Sequence, residues 1–263
     1  GMPDAWDERT GSGVGIAIVD NGVATDRPDL PAERVGAGYD ALTGRELAPG
    51  EHSDLGGHGT AVAALAAASG DDAAGMAGVD WGAMVHPVRV FDHAGCFVSN
   101  NAYRDALEWV VDNTNRHDIR VANFSLGGSP IEGEAERVVD MVERGVAVVA
   151  AMGNNGDPVG ATPSFPAALP EVIAVGATGG QDDTLAAYSN RGRHVDVVAP
   201  GGRIDGGASS AILTLADPTV VGPSQPFSPL AGTSFSSPLV AGVAALYLGE
   251  HPTATPATSG EEN

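Results

Sequence analysis

Three side chains that lie far apart in the sequence stand in comparable places. Asp20, His58 and Ser234 each sit at the edge of an apolar element. IAIVDNG (16–22) is an apolar strand pattern that ends in Asp20 and turns at Asn21-Gly22. GGHGTAVAALAAAS (56–69) is a Gly-rich entry, one polar residue, His58, and an Ala-rich helix pattern. AGTSFSSPLVAGVAAL (231–246) repeats that design with Ser234 where the other has His58. Leu239 to Leu248 is apolar except for Tyr247, which reads as a helix buried on all sides. In its first turn, backbone N–H groups lack partners and the helix dipole favours negative charge. A hydroxyl placed there suits a nucleophile whose product is an oxyanion. Serine is a weak nucleophile until a base takes its proton. His58 is the candidate base, with an ordinary pKa of about 6.5. Asp20 would hold the imidazole tautomer and stabilise its cation. Taken alone, Thr233 or Ser234 reads equally well as the N-cap of a core helix. Pro238 falls at or just past the first turn, where a missing N–H costs least.

The elements that must position these groups alternate between strand and helix. Val14–Asp20 is apolar throughout, as expected of a central parallel strand. Strand patterns follow at Val85–Phe91, Val121–Ser125, Val146–Ala151, Val172–Ala177 and Val195–Ala199, the last read as buried like the others. Ala102–Asn115 carries Tyr103, Leu107, Val110 and Val111 at helical spacing. A second helix is expected over Glu134–Arg144, with Ala135, Val138, Val139 and Val142 inward and Gly145 closing it as a C′ residue. Right-handed strand–helix–strand units give a three-layer α/β/α sandwich around a mainly parallel sheet. Ligands of such sheets bind beyond the strand carboxyl ends, where Asp20, Ser125 and Asn154 fall. The 263 residues fit one α/β domain over 1–252, with 253–263 as a polar, disordered tail. Arg203–Leu230 reads as a Gly-, Pro- and Ser-rich surface loop.

The chain resembles the subtilisin-like serine proteases, the subtilases. The resemblance runs from about Trp6 to Pro252. It rests on VDNG, GGHGT, NFSLGG (123–128), MGNNG (152–156), VIAVGA (172–177), VVAPGG (197–202) and GTSFSSP (232–238), in that order. It implies an endopeptidase working through an acyl-enzyme, with Asp20, His58 and Ser234 as the triad and Asn154 in the oxyanion hole. A peptide ligase or macrocyclase, and a catalytically silent peptide-binding fold, are the alternatives. An extended peptide substrate would lie between Gly95–Ser99 and Ser125–Gly128, adding as a β-strand. The P1 pocket would be walled by Ser125, Leu126 and Gly127 and by Ala151, Met152 and Gly153, with Asn155 at its rim and Ser164 near its base. Those walls suit an uncharged, large apolar side chain. The chemistry implied needs no cofactor. Structural calcium would sit at Asp29, in RPDL, and the loop 69–79, where Asp71 and Asp72 add oxygen ligands. An N-terminal propeptide or proteinaceous inhibitor, a monomeric state and an extracytoplasmic location, with a cytoplasmic one as the alternative, complete what the resemblance suggests. Asn21 stands where Ser or Thr is usual, and its amide is expected to donate to Asp20. Phe235 stands behind the nucleophile in place of the usual Met. Ala61 and Leu239 each stand where His is common.

Composition narrows the partners. There are 34 acidic residues against 13 Arg and no Lys, a formal charge of −21. Nucleic acid and anionic membranes are poor partners for such a surface. No apolar run spans a bilayer, so no membrane insertion is expected. Salt adaptation, or a composition biased toward Arg and Ala, would account for the charge; charged residues at 18% weigh against the former. Cys96 is alone and forms no internal disulfide; it reads as a small packing residue more than as a thiol near the substrate. His52, His86, His93, His117, His194 and His251 stand in no motif and read as surface or structural. Ser236 and Ser237 are expected to satisfy backbone groups at the helix start.

Overall fold

The computed structural model describes residues 6–7, 13–51, 53–54, 56–73, 75–156, 163–179, 183–203, 208–216 and 226–256. The expectations for His52 and for the last seven residues of the tail lie outside them. In chain order the strands are β1 (Gly15–Asp20), β2 (Asp26–Arg27), β3 (Leu30–Pro31), β4 (Gly38–Asp40), β5 (Arg45–Leu47), β6 (Met84–Arg89), β7 (Ile119–Phe124), β8 (Ala147–Ala151), β9 (Ile173–Thr178), β10 (Val197–Pro200), β11 (Ile212–Leu215) and β12 (Phe227–Leu230). The α-helices are α1 (His58–Ala67), α2 (Asn100–Asn113), α3 (Glu134–Glu143) and α4 (Thr233–Glu250).

Eight strands form one sheet in the order β10-β9-β8-β7-β1-β6-β4-β5, parallel except for the β4–β5 pair. β1 is central, flanked by β6 and β7, and all six of its residues are buried. Strand alternation sends Ile16 and Ile18 to one face and Ala17 and Val19 to the other, and each pair enters a separate core. The first core joins the sheet to α1 and α4 through Val62, Leu65, Phe235 and Ala241. The second joins it to α2 and α3 through Tyr103, Leu107, Val138 and Met141. These are the three layers expected.

Several local expectations need correction. α4 is buried along one side only: Val243 and Tyr247 are 52% and 56% exposed. A run of Ala, Val and Leu has no polar stripe to mark its outer face. β10 is an edge strand, and Val197 and Val198 are exposed rather than buried. In α3, Ala135 faces outward and Val139 is half-buried, while Met141 and Glu134 are buried; Gly145, at φ 84°, ends the helix as expected. The segment read as a loop at 203–230 contains the antiparallel β11–β12 hairpin, in register from Ile212↔Leu230 to Leu215↔Phe227. Residues 253–256, assigned to the tail, are tied down: Arg120 donates to the carbonyls of Pro252 and Ala254. Cys96 is exposed, so the packing reading fails.

Candidate active site

Asp20 ends β1 with 1% of its surface exposed. Its Oδ1 accepts the Asn21 N–H at 2.8 Å, and His58 Nδ1 lies 2.8 and 2.9 Å from its two oxygens. An ionised carboxylate only accepts, so Nδ1 carries the proton and Nε2 the lone pair. Burial of the ring pulls the His58 pKa down, but the Asp20 charge and hydrogen bond outweigh it and the net shift is upward from 6.5.

Helix α1 is capped from outside itself. Its N-cap, Gly57, has no side chain to do so. Asp54 supplies the acceptors instead: Oδ1 takes the N–H groups of Gly56 and Gly57, and Oδ2 takes the Thr60 N–H and hydroxyl. The Gly59 N–H goes to Asn21 Oδ1 at 2.7 Å. The Asn21 side chain therefore accepts from the helix start, and it is the backbone N–H of Asn21, not its side-chain amide, that donates to Asp20. This bond ties the end of β1 to the start of α1. Gly59 is required there, because a Cβ would fall 2.1 Å from the Gly22 carbonyl oxygen.

Helix α4 is capped the same way. Asn154 Oδ1 accepts from the Thr233 N–H at 2.8 Å and the Thr233 hydroxyl at 3.0 Å. The amide oxygen is thereby engaged, and the Nδ2 group is the end left to donate. The Ser234 N–H finds no acceptor among the described residues. The Thr233 hydroxyl also accepts from Gly153 N–H, and Asn190 holds the same loop through Met152 O and Asn155 N–H.

Pro238 lies within α4, past its first turn, so its lost N–H is not one of the free ones. In an unbroken helix that N–H would serve the Ser234 carbonyl. Here Ser125 Oγ donates to that carbonyl at 2.8 Å. A chain of buried polar groups continues behind it. Asn123 Nδ2 donates to Ser125 Oγ at 3.0 Å, and Ser237 Oγ donates to Asn123 Oδ1 at 2.6 Å. Ser236 donates to the Ala199 carbonyl on β10. Ser236 and Ser237 thus pin the helix to the sheet and do not serve its own first turn. Ser234 Oγ donates to the Ser125 carbonyl at 3.2 Å. The His58 ring packs 5.5 Å from the ring of Phe235, the residue after Ser234.

A pocket of about 410 Å³ opens beside Ser234. Of the residues expected to bind substrate, Ser125, Leu126, Gly127, Gly128, Ala151, Gly153, Asn155 and Ser164 line it, joined by Ser129, Pro163 and Asn190. No lining side chain is charged. Met152 does not line it; it is 4% exposed and packed in the second core. Gly95 and Ser99 lie outside the lining, and Ser99 Oγ caps α2 by accepting from Ala102 N–H.

The aspartates expected to hold calcium do not gather. No group of three His, Cys, Asp or Glu side chains able to hold a metal occurs among the described residues. Asp71 and Asp72 are exposed, while Asp29 is buried and its Oδ1 accepts the Met76 N–H at 2.9 Å. That oxygen is engaged by the loop itself. His86 is structural as expected: it is buried, its Nδ1 faces the Ala37 carbonyl, and burial pushes its pKa down to about 4.

Sequence reasoning missed Asp54, Asn123 and Asn190. Asp54, just ahead of the Gly57–His58 helix start, carried a usable signal, since acidic and short polar residues gather at such starts. Asn123 opens the NFSLGG motif, but its bond to Ser237 spans 114 residues, and Asn190 acts over 35 and 38 residues with no motif to mark it.

The subtilase family model matches residues 11–260, and the chain belongs to that family. It is 36% identical over 286 residues to an extracellular protease of Xanthomonas campestris pv. campestris, covering 96% of this chain and 47% of the relative. It is 38% identical over 247 residues to an extracellular serine proteinase of Thermus sp., covering 94% and 53%. Thermitase of Thermoactinomyces vulgaris is 35% identical over 245 residues, covering 93% and 78%. The chain thus spans about half the length of the first two relatives. Among solved structures, a protease of Pseudoalteromonas arctica superposes with a TM-score of 0.83 at 31% identity, covering 97% of this chain and 83% of that one. Fervidolysin of Fervidobacterium pennivorans gives 0.81 at 30%, covering 96% and 38%.

Proposed function

We propose that this chain is a serine endopeptidase that cleaves polypeptides through an acyl-enzyme on Ser234. The observation that carries the reading is the Asp20–His58 hydrogen bond, which leaves a basic Nε2 on the ring that packs beside the start of α4. For the transfer, Ser234 Oγ must leave the Ser125 carbonyl and turn to that nitrogen. His58 then takes the hydroxyl proton as Oγ attacks the peptide carbonyl. The oxyanion is received by Asn154 Nδ2 and the Ser234 N–H, both on the helix-dipole side of the attack. Collapse breaks the C–N bond, and the imidazolium returns its proton to the leaving amine. Water repeats the cycle on the ester.

The substrate lies along Ser125–Gly128, facing Gly95–Ser99, and places one uncharged side chain in the pocket above Ser164. Relatives described as extracellular support an extracytoplasmic setting, and no described helix is long and apolar enough to cross a membrane. A fluorophosphonate probe tests the chemistry. Labelling of the native protein, lost in Ser234→Ala, is the expected result. Equal labelling of both, or of neither, refutes the reading.

A further inference from the structure

A second pocket, of about 360 Å³, lies across the segment 126–129 from the first, and the chemistry above makes no use of it. Its walls include Phe91, Phe97, Ile131 and Phe165. One carboxyl stands among them. Glu134 opens α3, is 3% exposed, and accepts the Tyr103 hydroxyl on Oε1 at 2.8 Å. It forms no ion pair among the described residues, and no lining residue is Arg or Lys. A carboxylate in apolar walls, with a neutral donor as its named side-chain partner, is costly to ionise until a cation arrives. Its place at a helix N-terminus favours the charged form once one does.

An apolar sleeve that ends in an acid is complementary to a methylene stem that ends in a cation. Both pockets share Leu126, Gly127, Gly128 and Ser129, so one extended peptide along that segment can fill both. We propose that the second pocket recognises a lysine- or arginine-type side chain of the bound peptide. Glu134 is its specificity-determining residue and Tyr103 the residue that positions the carboxyl. This rests on the peptide-binding reading of the cleft. It assigns a preference to a second side chain, distinct from the uncharged one beside Ser234.

The test uses Ser234→Ala protein and fluorescent peptides carrying lysine, Nε-acetyl-lysine or norleucine at each position in turn on the amino side of the scissile bond. The general field of a chain with charge −21 favours lysine at every position alike. The pocket favours it at one. There, lysine is expected to bind about tenfold tighter than either neutral analogue. Adding Glu134→Gln is expected to erase that preference, leaving lysine no tighter than norleucine, and an unchanged circular dichroism spectrum shows that the variant is folded. A lysine preference that is absent, equal at all positions or intact in the Glu134→Gln protein overturns the proposal, as does failure of all the peptides to bind. Cleavage of the norleucine peptide by the native protein, followed in parallel, reports on the hydrolytic reading separately.

Discussion

Asp20, His58 and Asn154 are each held by a hydrogen bond with a neighbouring group. Asp20 holds Nδ1, so the basic nitrogen must be Nε2; Thr233 holds Asn154 Oδ1, so the free end must be the donor. The titration of His58 follows from the first. Its pKa is raised in the folded protein, and only the neutral ring can take the Ser234 proton. We predict that kcat/KM for a neutral peptide rises with pH along a limb centred above 6.5, and that Asp20→Asn moves any residual limb downward. A pH–rate profile with its limb at or below 6.5 in the native protein would contradict this. Asn154→Leu should lower kcat by about 100- to 1,000-fold with little change in KM, a magnitude known from the equivalent change in subtilisin. Steady-state kinetics on one peptide decides it. The candidate residues Asp20, His58, Asn154 and Ser234 and their order were legible in the sequence because each sits in a short motif. The locks behind them were not, since Thr233 and Asn154 are 79 residues apart.

Helix α4 meets the sheet through a substitution of donors: a serine on β7's exit replaces the N–H that Pro238 lacks. Ser125→Ala should cost about 1–3 kcal/mol, the cost of leaving a buried carbonyl unpaired. Pro238→Ala restores a backbone donor, so in that background the Ser125→Ala loss should shrink. A double-mutant cycle by chemical denaturation reads the coupling, and additive losses would show that the two donors do not share the carbonyl. The turn between α1 and β6 makes a second prediction. Asp80 is fully buried, its Oδ1 accepts from Gly82 and Ala83 N–H groups, and its Oδ2 has no hydrogen-bond partner among the described residues. Burial pushes its pKa up from 3.8 to about 6. A carboxyl raised in the folded state favours folding at low pH, and that contribution is lost as pH climbs from 3.8 through about 6. Thermal unfolding across that window should therefore fall further with pH for the native protein than for Asp80→Asn. Parallel curves would remove Asp80 as the cause. Strands and helices were readable from periodicity wherever one face is polar. They misled where composition is uniform, as at Val243 and Tyr247, and at β10, where an apolar sequence says nothing of its edge position.

On the scale of the molecule, an eight-stranded sheet with helices on both faces carries an acidic surface of net charge −21. Like charges crowded on a compact body repel, and salt screens them with a Debye length of about 10 Å at 0.1 M. Raising sodium chloride from low to physiological strength should lift the melting temperature by about 2–4 °C for each kcal/mol of repulsion relieved. A flat or falling trend in a calorimetric series would rule out net repulsion as a significant load. The layer order was foreseeable from alternating strand and helix patterns, whereas the β11–β12 hairpin was hidden by its loop-like composition. One consequence of chain order remains. Ser234 follows all eight strands of the main sheet, and Asp20 ends the first of them. On the hydrolytic reading, a ribosome releases the base and its carboxylate well before the alcohol they serve. Until Ser234 has been made, the nascent polypeptide therefore holds a base with no nucleophile to serve, and the strands of the main sheet are synthesised before it can cut.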